Sequence, residues 1–304
     1  MIARWLCGWL AAEVLIVALA VGWAARAGLL HPAGAVGAAI VGFLVLASVP
    51  IAGAYLVALV CARRTPGVPY AGLARRTLAV LGEWLAYLAL FVVIQPLARL
   101  WMGGDAVGRL APGQVPVLLV HGFFCNRGFW WWLRRSLRAR RFAVATIDLE
   151  PPFAGIDRFA DQLHTRIEAL LAETGAGRVV LIGHSMGGLA ARAYLQRHGA
   201  GRVERLVTLG SPHHGSRMAC LGVGTNAREI RPNSAWLRAL NAQPLSVPAL
   251  SVWSTDDEFV IPRDSSRLPG ARQEVVSALG HLAKAFSPRI RAILIAELTP
   301  DKER

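Results

Sequence analysis

The chain has 304 residues, of which 54% are hydrophobic, with a formal net charge of +14 and a mean hydropathy of +0.43. This length holds one large domain, or one domain with an appendage. The charge does not indicate a nucleic-acid partner, because the 25 basic residues after position 110 are scattered among 16 acidic ones without an aromatic or glycine-rich RNA-binding motif. Anionic lipid headgroups fit this charge better.

Three long apolar stretches occupy the first part of the chain, at 5–25, 35–62 and 77–98. Each reaches the roughly 20 residues that a helix needs to cross the hydrocarbon core of a bilayer. We therefore predict a membrane-spanning region over 1–110 and a second domain over 111–304. The alternative for the first stretch is a cleaved signal peptide ending near Ala25-Arg26-Ala27, but two further apolar stretches follow, which favours three retained helices.

The arginines near these stretches predict a topology. The second connection carries Arg63, Arg64, Arg75 and Arg76, whereas the first carries Arg26 alone. Short arginine-rich loops stay in the cytoplasm, so three crossings place the amino terminus inside and residues 111–304 outside. The expected location is a bacterial inner membrane, with the second domain in the periplasm.

Polar side chains also occur within the apolar stretches, at Glu13, Glu83 and Gln95. Acids inside a membrane can mark a transport path, but a lone acid can also pair with a nearby arginine. The structural interpretation is favoured here.

Residues 111–304 alternate between short apolar runs and helical patterns, which is typical of an α/β fold. A parallel sheet covered by helices on both faces is expected, with any active site at the edge where the strands end. The predicted strands are 117–120, 142–147, 179–182, 206–209, 249–253 and 274–277, and the main predicted helices are 129–139, 156–173 and 188–197.

The run Gly183-His184-Ser185-Met186-Gly187 stands between a predicted strand and a predicted helix. This is the pattern of a nucleophile elbow, in which a serine hydroxyl is raised on a sharp turn. The amide of Met186, at the start of the helix, can then face a developing oxyanion. The amide of Phe123, which follows the first predicted strand, is expected to supply the second donor of the oxyanion hole, although an ordinary turn is the alternative there.

A serine nucleophile needs a base that is held by a carboxylate. His281 follows the last predicted strand and is the expected base. The acid is expected in the loop after the preceding strand, where Asp257 is favoured and Asp256 is the alternative; Asp148 follows too early a strand. His184 is expected to brace the elbow, and the pair His213 and His214 to shape the rim of the pocket.

Several motifs together resemble those of α/β-hydrolases in the bacterial triacylglycerol lipase and esterase group, in a compact form. The residues that carry the resemblance are His121-Gly122-Phe123, Gly183 to Gly188, Gly210-Ser211-Pro212-His213-His214-Gly215, the Asp257 loop and Gly280-His281. The resemblance implies hydrolysis of a carboxylic ester, with lipid acyl esters and membrane lipids as partners. It also implies an acyl-serine intermediate, no organic cofactor and no catalytic metal, and it leaves a structural calcium ion open. An acyltransferase with the same triad and a non-catalytic binding protein are the alternatives.

Three smaller features remain. Residues 215–244 form a long insertion, interpreted as a lid or an acyl-chain wall, with one clear helical piece at 234–240. Of the three tryptophans at 130–132, one is expected in the core and the others, beside arginines, either pack there or contact lipid headgroups. The two cysteines of the second domain, Cys125 and Cys220, are interpreted as small core residues in preference to a disulfide.

Overall fold

The computed structural model describes residues 1–61, 71–111 and 113–299. Its three long apolar helices have the length and composition needed to cross a membrane. They are α1 (Ile2–Arg26), α2 (Pro32–Cys61) and α3 (Leu73–Tyr87), which continues as a π-helical turn over Leu88–Ile94. Arg63 and Arg64, and the last residue of the predicted stretch 35–62, lie outside the described residues.

The second part of the chain forms a parallel sheet of six strands in the order β2-β1-β3-β4-β5-β6, which confirms the predicted α/β class. We call residues 113–299 the sheet domain. The strands are β1 (Val117–Val120), β2 (Val144–Ile147), β3 (Val179–His184), β4 (Val203–Leu209), β5 (Ala249–Ser254) and β6 (Arg272–Val276). The remaining α-helices are α4 (Ala98–Met102), α5 (Trp131–Arg138), α6 (Ile156–Thr174), α7 (Met186–His198), α8 (Thr225–Ile230), α9 (Ala235–Asn241) and α10 (Pro288–Leu298).

Helices cover both faces of the sheet. Residues of α6, α7 and α9 pack on one face, and residues of α5 and α10 pack on the other. The strands are therefore buried on both sides, which explains why they read as nearly continuous apolar runs in the sequence.

The third apolar helix belongs to the core of the sheet domain. Ala86, Leu90 and Ile94 are buried in the same cluster as Leu119 of β1 and Phe129. The packing therefore crosses the domain boundary predicted at residue 110. An apolar helix face has the same sequence pattern whether lipid or protein covers it. The sequence therefore could not predict that α3 packs on the sheet domain.

Polar contacts at both ends of α3 reinforce this packing. The guanidinium Nε of Arg76 lies 3.0 Å from Oδ1 of Asp256, and the amide of Asn126 donates to Oε1 of Gln95 at 2.8 Å. Gln95 lies 19 positions after Arg76, so α3 and its π-helical continuation run along the sheet domain for about 28 Å at 1.5 Å per residue. The helix lies beside the domain instead of leading away from it.

The predicted topology placed Arg76 and the sheet domain on opposite sides of a membrane, whereas the structure brings Arg76 into contact with the sheet domain. Arg76 forms an ion pair with Asp256, whose side chain is almost fully buried. The start of α1 also touches the sheet domain, because Ile2 and Leu6 are buried and the rings of Trp5 and Phe153 pack at 6.2 Å. Counting arginines could not find this pairing because it treats each one as a solvated loop charge.

The insertion at 215–244 contains more helix than predicted. A 3-10 helix (Arg217–Cys220) and α8 precede α9, which matches the predicted helical piece. Gly222 and Gly224 interrupt the apolar pattern between the first two pieces, which is why no helical period was visible there.

Candidate active site

The elbow at Ser185 lies between the end of β3 and the start of α7. Ser185 has φ 54° and ψ −126°, a conformation that costs a non-glycine residue backbone energy. A Cβ atom at Gly183 would lie 2.5 Å from the amide nitrogen of Gly188, and one at Gly187 would overlap the carbonyl of Val120. The glycines are therefore required for the helix to pack closely enough on the sheet to raise the serine.

His281 lies at the same edge of the sheet and contacts Asp257. Its Nδ1 atom is 2.9 Å from Oδ2 and 3.1 Å from Oδ1 of that carboxylate. The amides of Phe259 and Val260 donate to Oδ1 of Asp257 at 3.0 and 2.9 Å, which fixes the carboxylate. With Nδ1 occupied, Nε2 is the ring nitrogen left for the cavity that Ser185 and His281 both line.

The neighbouring aspartate has different partners. Oδ2 of Asp256 accepts a hydrogen bond from the amide of Ala278 at 2.8 Å, and Oδ1 faces Arg76. Of the two candidates for the acid, the structure brings Asp257 to His281 and turns Asp256 toward α3.

Sequence reasoning missed Lys284. Its side chain is completely buried, and Nζ lies 2.7 Å from Oδ2 of Asp257 and 3.0 Å from the carbonyl oxygen of Gly280. Burial by itself would raise the pKa of Asp257, but the adjacent His281 and Lys284 outweigh it and hold this pKa well below its usual range. Asp257 therefore stays ionised at neutral pH. Apart from its place three residues after His281, Lys284 has no motif that marks it.

Glu83 of α3 also reaches this loop. Its Oε1 accepts from the amide of Leu282 at 2.6 Å, and its Oε2 accepts from the amide of Ala283 at 2.8 Å. A Cβ atom at Gly280 would overlap the Glu83 carboxylate, so the loop needs glycine there. The sequence interpretation paired this acid with an arginine; in the structure it instead satisfies the first amides of the 3-10 helix Leu282–Phe286.

A second buried glutamate completes the arrangement. The amide of His281 points at the carboxyl group of Glu258, with both oxygens at 3.4 Å. Burial, followed by the charge and hydrogen bond of Glu83, raises the pKa of Glu258 well above its usual range. Burial and the neighbouring Glu83 therefore favour the neutral form of Glu258.

His184 lies behind the elbow, where its ring stacks on Phe129 at 4.2 Å and its Nε2 lies 3.1 Å from the carbonyl oxygen of His281. Burial, together with the charges of His281 and Lys284, lowers the pKa of His184 well below its usual range. A neutral ring that donates from Nε2 braces the backbone of His281 as well as the elbow.

The predicted rim histidines lie elsewhere. His213 is buried, with Nε2 3.1 Å from the hydroxyl of Thr208, and it does not line the cavity. His214 lines a separate depression beside Arg192. Pro212 and Ser216 take the expected place at the cavity because the chain turns between them.

The loop with Phe123 lies against Ser185, since a Cβ atom at Gly122 would lie 2.8 Å from Cβ of Ser185. Burial lowers the pKa of His121, so its ring is neutral. The ring accepts from the amide of Leu149 at Nε2 and places Nδ1 2.9 Å from the carbonyl oxygen of Gly122. The next N–H, that of Phe123, points the opposite way because a trans peptide opposes its two polar groups.

A cavity of about 380 Å³ lies in front of Ser185 and His281. One side is formed by the sheet domain, including Phe123, and the other by residues of the three apolar helices. Within residues 1–61, 71–111 and 113–299, no group of three or more His, Cys, Asp or Glu side chains is arranged to hold a metal ion.

The cysteines and tryptophans of the sheet domain agree with the sequence-based predictions only in part. Cys125 and Cys220 are free, but only Cys125 is buried, so the interpretation as core residues is wrong for Cys220. Trp130 is fully buried, whereas Trp131 and Trp132 are partly exposed and stack under Arg135 and Arg291.

Comparison with known proteins gives a match to the alpha/beta hydrolase family over residues 117–300. Among curated proteins, a triacylglycerol lipase of Burkholderia plantarii is 34% identical over 122 residues, which cover 38% of this chain and 34% of that protein. The human (lyso)-N-acylphosphatidylethanolamine lipase is 29% identical over 174 residues, which cover 53% of this chain and 48% of that protein. The chain thus spans between a third and a half of the length of these relatives.

Solved structures agree on the fold. The mature lipase BlEst2 of Bacillus licheniformis superimposes with a TM-score of 0.58 at 19% identity, covering 65% of this chain and 97% of that one. Lipase B of Aspergillus fumigatus superimposes with a TM-score of 0.55 at 18% identity, covering 64% of this chain and 56% of that one.

Proposed function

Because this chain belongs to the alpha/beta hydrolase family, in its lipase and esterase group, we propose that it hydrolyses carboxylic esters through an acyl-serine intermediate. The observation that carries the proposal is the contact of His281 Nδ1 with Asp257 at 2.9 Å, beside a cavity that also exposes the strained Ser185. A nucleophile, a base and an orienting acid at one cavity are the requirements of this chemistry.

In the proposed reaction, Oγ of Ser185 attacks the ester carbonyl carbon while its proton passes to Nε2 of His281. The carbonyl π electrons move to the oxygen, and the amides of Phe123 and Met186 stabilise that oxyanion, each contributing about 3 kcal/mol. Collapse of the intermediate breaks the ester C–O bond, and His281 returns the proton to the departing alcohol. Water then repeats the sequence on the acyl-serine, and Asp257 orients the imidazole and stabilises its charged form throughout.

The natural substrate is proposed to be an ester with an apolar acyl chain. Trp9, Pro50 and Phe91 line the cavity opposite the triad, and the two curated proteins compared above are lipases. The proposed reaction requires neither an organic cofactor nor a catalytic metal ion, so activity is expected to persist in EDTA.

The three apolar helices indicate membrane association. We propose an inner-membrane protein of a bacterium in which the sheet domain lies on the same side as Arg75 and Arg76. By the preference of arginine-rich segments, that side is the cytoplasm. A cysteine introduced at the exposed position Gln196 of α7 offers a test. An impermeant maleimide should label Gln196→Cys, made in a Cys220→Ser background, only after permeabilisation, with Cys220→Ser alone as the control.

The catalytic proposal is tested with Ser185→Ala, purified as the full chain in detergent. This variant should lose hydrolysis of p-nitrophenyl esters and labelling by a fluorophosphonate probe, and it should keep the unfolding temperature of the parent to within a few degrees. Ser136→Ala, on α5, is the matched control and should retain both activities. Full activity in Ser185→Ala would exclude the mechanism.

A further inference from the structure

We propose that the three apolar helices form the acyl-chain wall of the active site and pass substrate to it from the lipid bilayer. On this proposal the natural substrate is a long-chain ester that resides in the membrane, and a water-soluble ester is a poor substitute. The inference rests on the proposed function and adds where the substrate comes from and which residues select it.

Each of the three helices contributes to the cavity. Trp9 of α1, Pro50 of α2 and Phe91 in the π-helical end of α3 line it together with Ser185 and His281. A volume of about 380 Å³ is within the usual range of about 300 to 1,000 Å³ for pockets that enclose a small ligand. An acyl chain bound to Ser185 would therefore lie against the helices.

The same helices carry bare apolar faces on the other side. On α1, Leu19 and Trp23 are 65% and 67% exposed, and on α2, Val45 and Val49 are 63% and 58% exposed. Helices that are apolar on every side are covered by protein or by lipid. One face of the layer formed by α1, α2 and α3 therefore lines the cavity, and the opposite face contacts the bilayer.

The opening of the cavity lies at the apolar surface. Trp9 and Leu221 both line the cavity and are still 57% and 69% exposed, so they flank its mouth. Val223, close to Leu221 in the chain, is exposed as well. A mouth bounded by apolar side chains admits a lipid acyl chain without the chain crossing water, and exposed apolar patches of this kind mark membrane contact sites.

Small residues on α2 leave room for the chain. Ala47 is almost fully buried and lines the cavity next to Pro50, which lies within the helix. Val49, between them in sequence, points outward. Ala47 faces the cavity and Val49, two positions later, faces outward, so substitutions at these two positions provide a matched experiment.

The test compares Ala47→Phe with Val49→Phe in the full chain reconstituted in phosphatidylcholine vesicles. The measurement is kcat/KM for p-nitrophenyl laurate divided by kcat/KM for p-nitrophenyl acetate. Ala47→Phe should lower this ratio by about tenfold or more, because a single methylene in an apolar pocket is worth about 10- to 200-fold. Val49→Phe should leave the ratio of the parent unchanged. A ratio that stays at the parent value in Ala47→Phe would overturn the proposal.

Trp9→Ala provides an independent variant should Ala47→Phe fail to fold. It widens the cavity at its mouth, so across a series of p-nitrophenyl esters the preferred acyl chain should be longer than that of the parent; an unchanged optimum contradicts the proposal.

Delivery from the bilayer is tested with a fluorescent long-chain diacylglycerol placed either in the vesicles that carry the parent protein or in separate vesicles. Hydrolysis of the diacylglycerol should be at least about tenfold faster when it shares a bilayer with the protein. The rate for p-nitrophenyl acetate should be the same in both arrangements. Equal rates for the diacylglycerol would contradict delivery through the helices. Failure of the proposed ester hydrolysis can be distinguished from failure of the delivery proposal. If the protein is not an ester hydrolase, the parent will neither cleave esters nor react with a fluorophosphonate probe at Ser185.

Discussion

Glu83 of α3 accepts a hydrogen bond of 2.6 Å from the amide of Leu282, the residue that follows the proposed base His281. The two residues are 199 positions apart in the chain. An apolar helix thereby holds the segment that carries the proposed base, and it does so through a completely buried carboxylate.

Replacement of Glu83 by alanine should reduce kcat strongly while KM for a short-chain ester changes little. The buried amide of Leu282 would lose its acceptor at a cost of about 1 to 3 kcal/mol, and the half-buried amide of Ala283 would lose its acceptor as well, so His281 would no longer be held in place. Steady-state kinetics in detergent should show a fall in kcat of about tenfold or more.

Glu83→Gln separates positioning from folding, because the amide keeps one acceptor oxygen. This variant should recover part of the kcat that Glu83→Ala loses, and its unfolding temperature should be similar to that of the parent. Glu204→Gln, near the start of β4 and partly exposed, is the control and should match the parent. Equal kcat in Glu83→Ala and the parent would show that the contact does not position the base.

Stability should depend on pH through Glu258. Its pKa in the folded protein is raised above the unfolded value of about 4.3, by burial and by Glu83, with Asp257 adding to the increase and Lys284 opposing it. The stabilisation from the neutral form is complete below the unfolded pKa and is lost as pH rises through the folded pKa. Glu258→Gln cannot ionise, so its unfolding temperature should approach that of the parent near pH 4 and exceed it increasingly at higher pH. Parallel curves for the two proteins would contradict this account.

Lys284→Met should destabilise the fold. The variant leaves the buried carboxylate of Asp257 without its lysine partner, and breaking a buried pair in this way costs about 3 to 5 kcal/mol. The folded pKa of Asp257 is depressed, so the stability it contributes is present above its unfolded pKa of about 3.9 and is lost as pH falls. Urea unfolding should therefore show a large difference between Lys284→Met and the parent at pH 7 and a smaller one at pH 3. The same difference at both pH values would show that Lys284 acts by packing alone.

The two adjacent aspartates should differ sharply in kinetics. Asp257→Asn presents an amide to Nδ1 of His281, favours the wrong tautomer and should lower kcat by about 10³- to 10⁴-fold. Asp256→Asn keeps an acceptor for Ala278, weakens the pair with Arg76 and should lower kcat by less than about tenfold. The measurement is the rate of ester hydrolysis by each purified variant. A larger loss of kcat in Asp256→Asn than in Asp257→Asn would assign the acid to Asp256.

Much of the candidate site was visible in the chain itself, because the chemistry depends on local geometry. Ser185 is bracketed by glycines that a strand-turn-helix junction requires, and His281 and Asp257 follow strands that end at one edge of a parallel sheet. Neighbours in sequence determine such features, so short patterns predict them.

The tertiary structure alone decided what surrounds that site. The apolar pattern of residues 77–98 satisfies a bilayer and a protein core equally, so only packing showed that Leu90 and Ile94 cover the sheet domain. Likewise, Glu83 in an apolar helix indicates that a partner exists, and the partner proved to be two amides about 200 residues away. Sequence patterns report which groups must be buried, whereas the identity of the groups that bury them follows from contacts between distant parts of the chain.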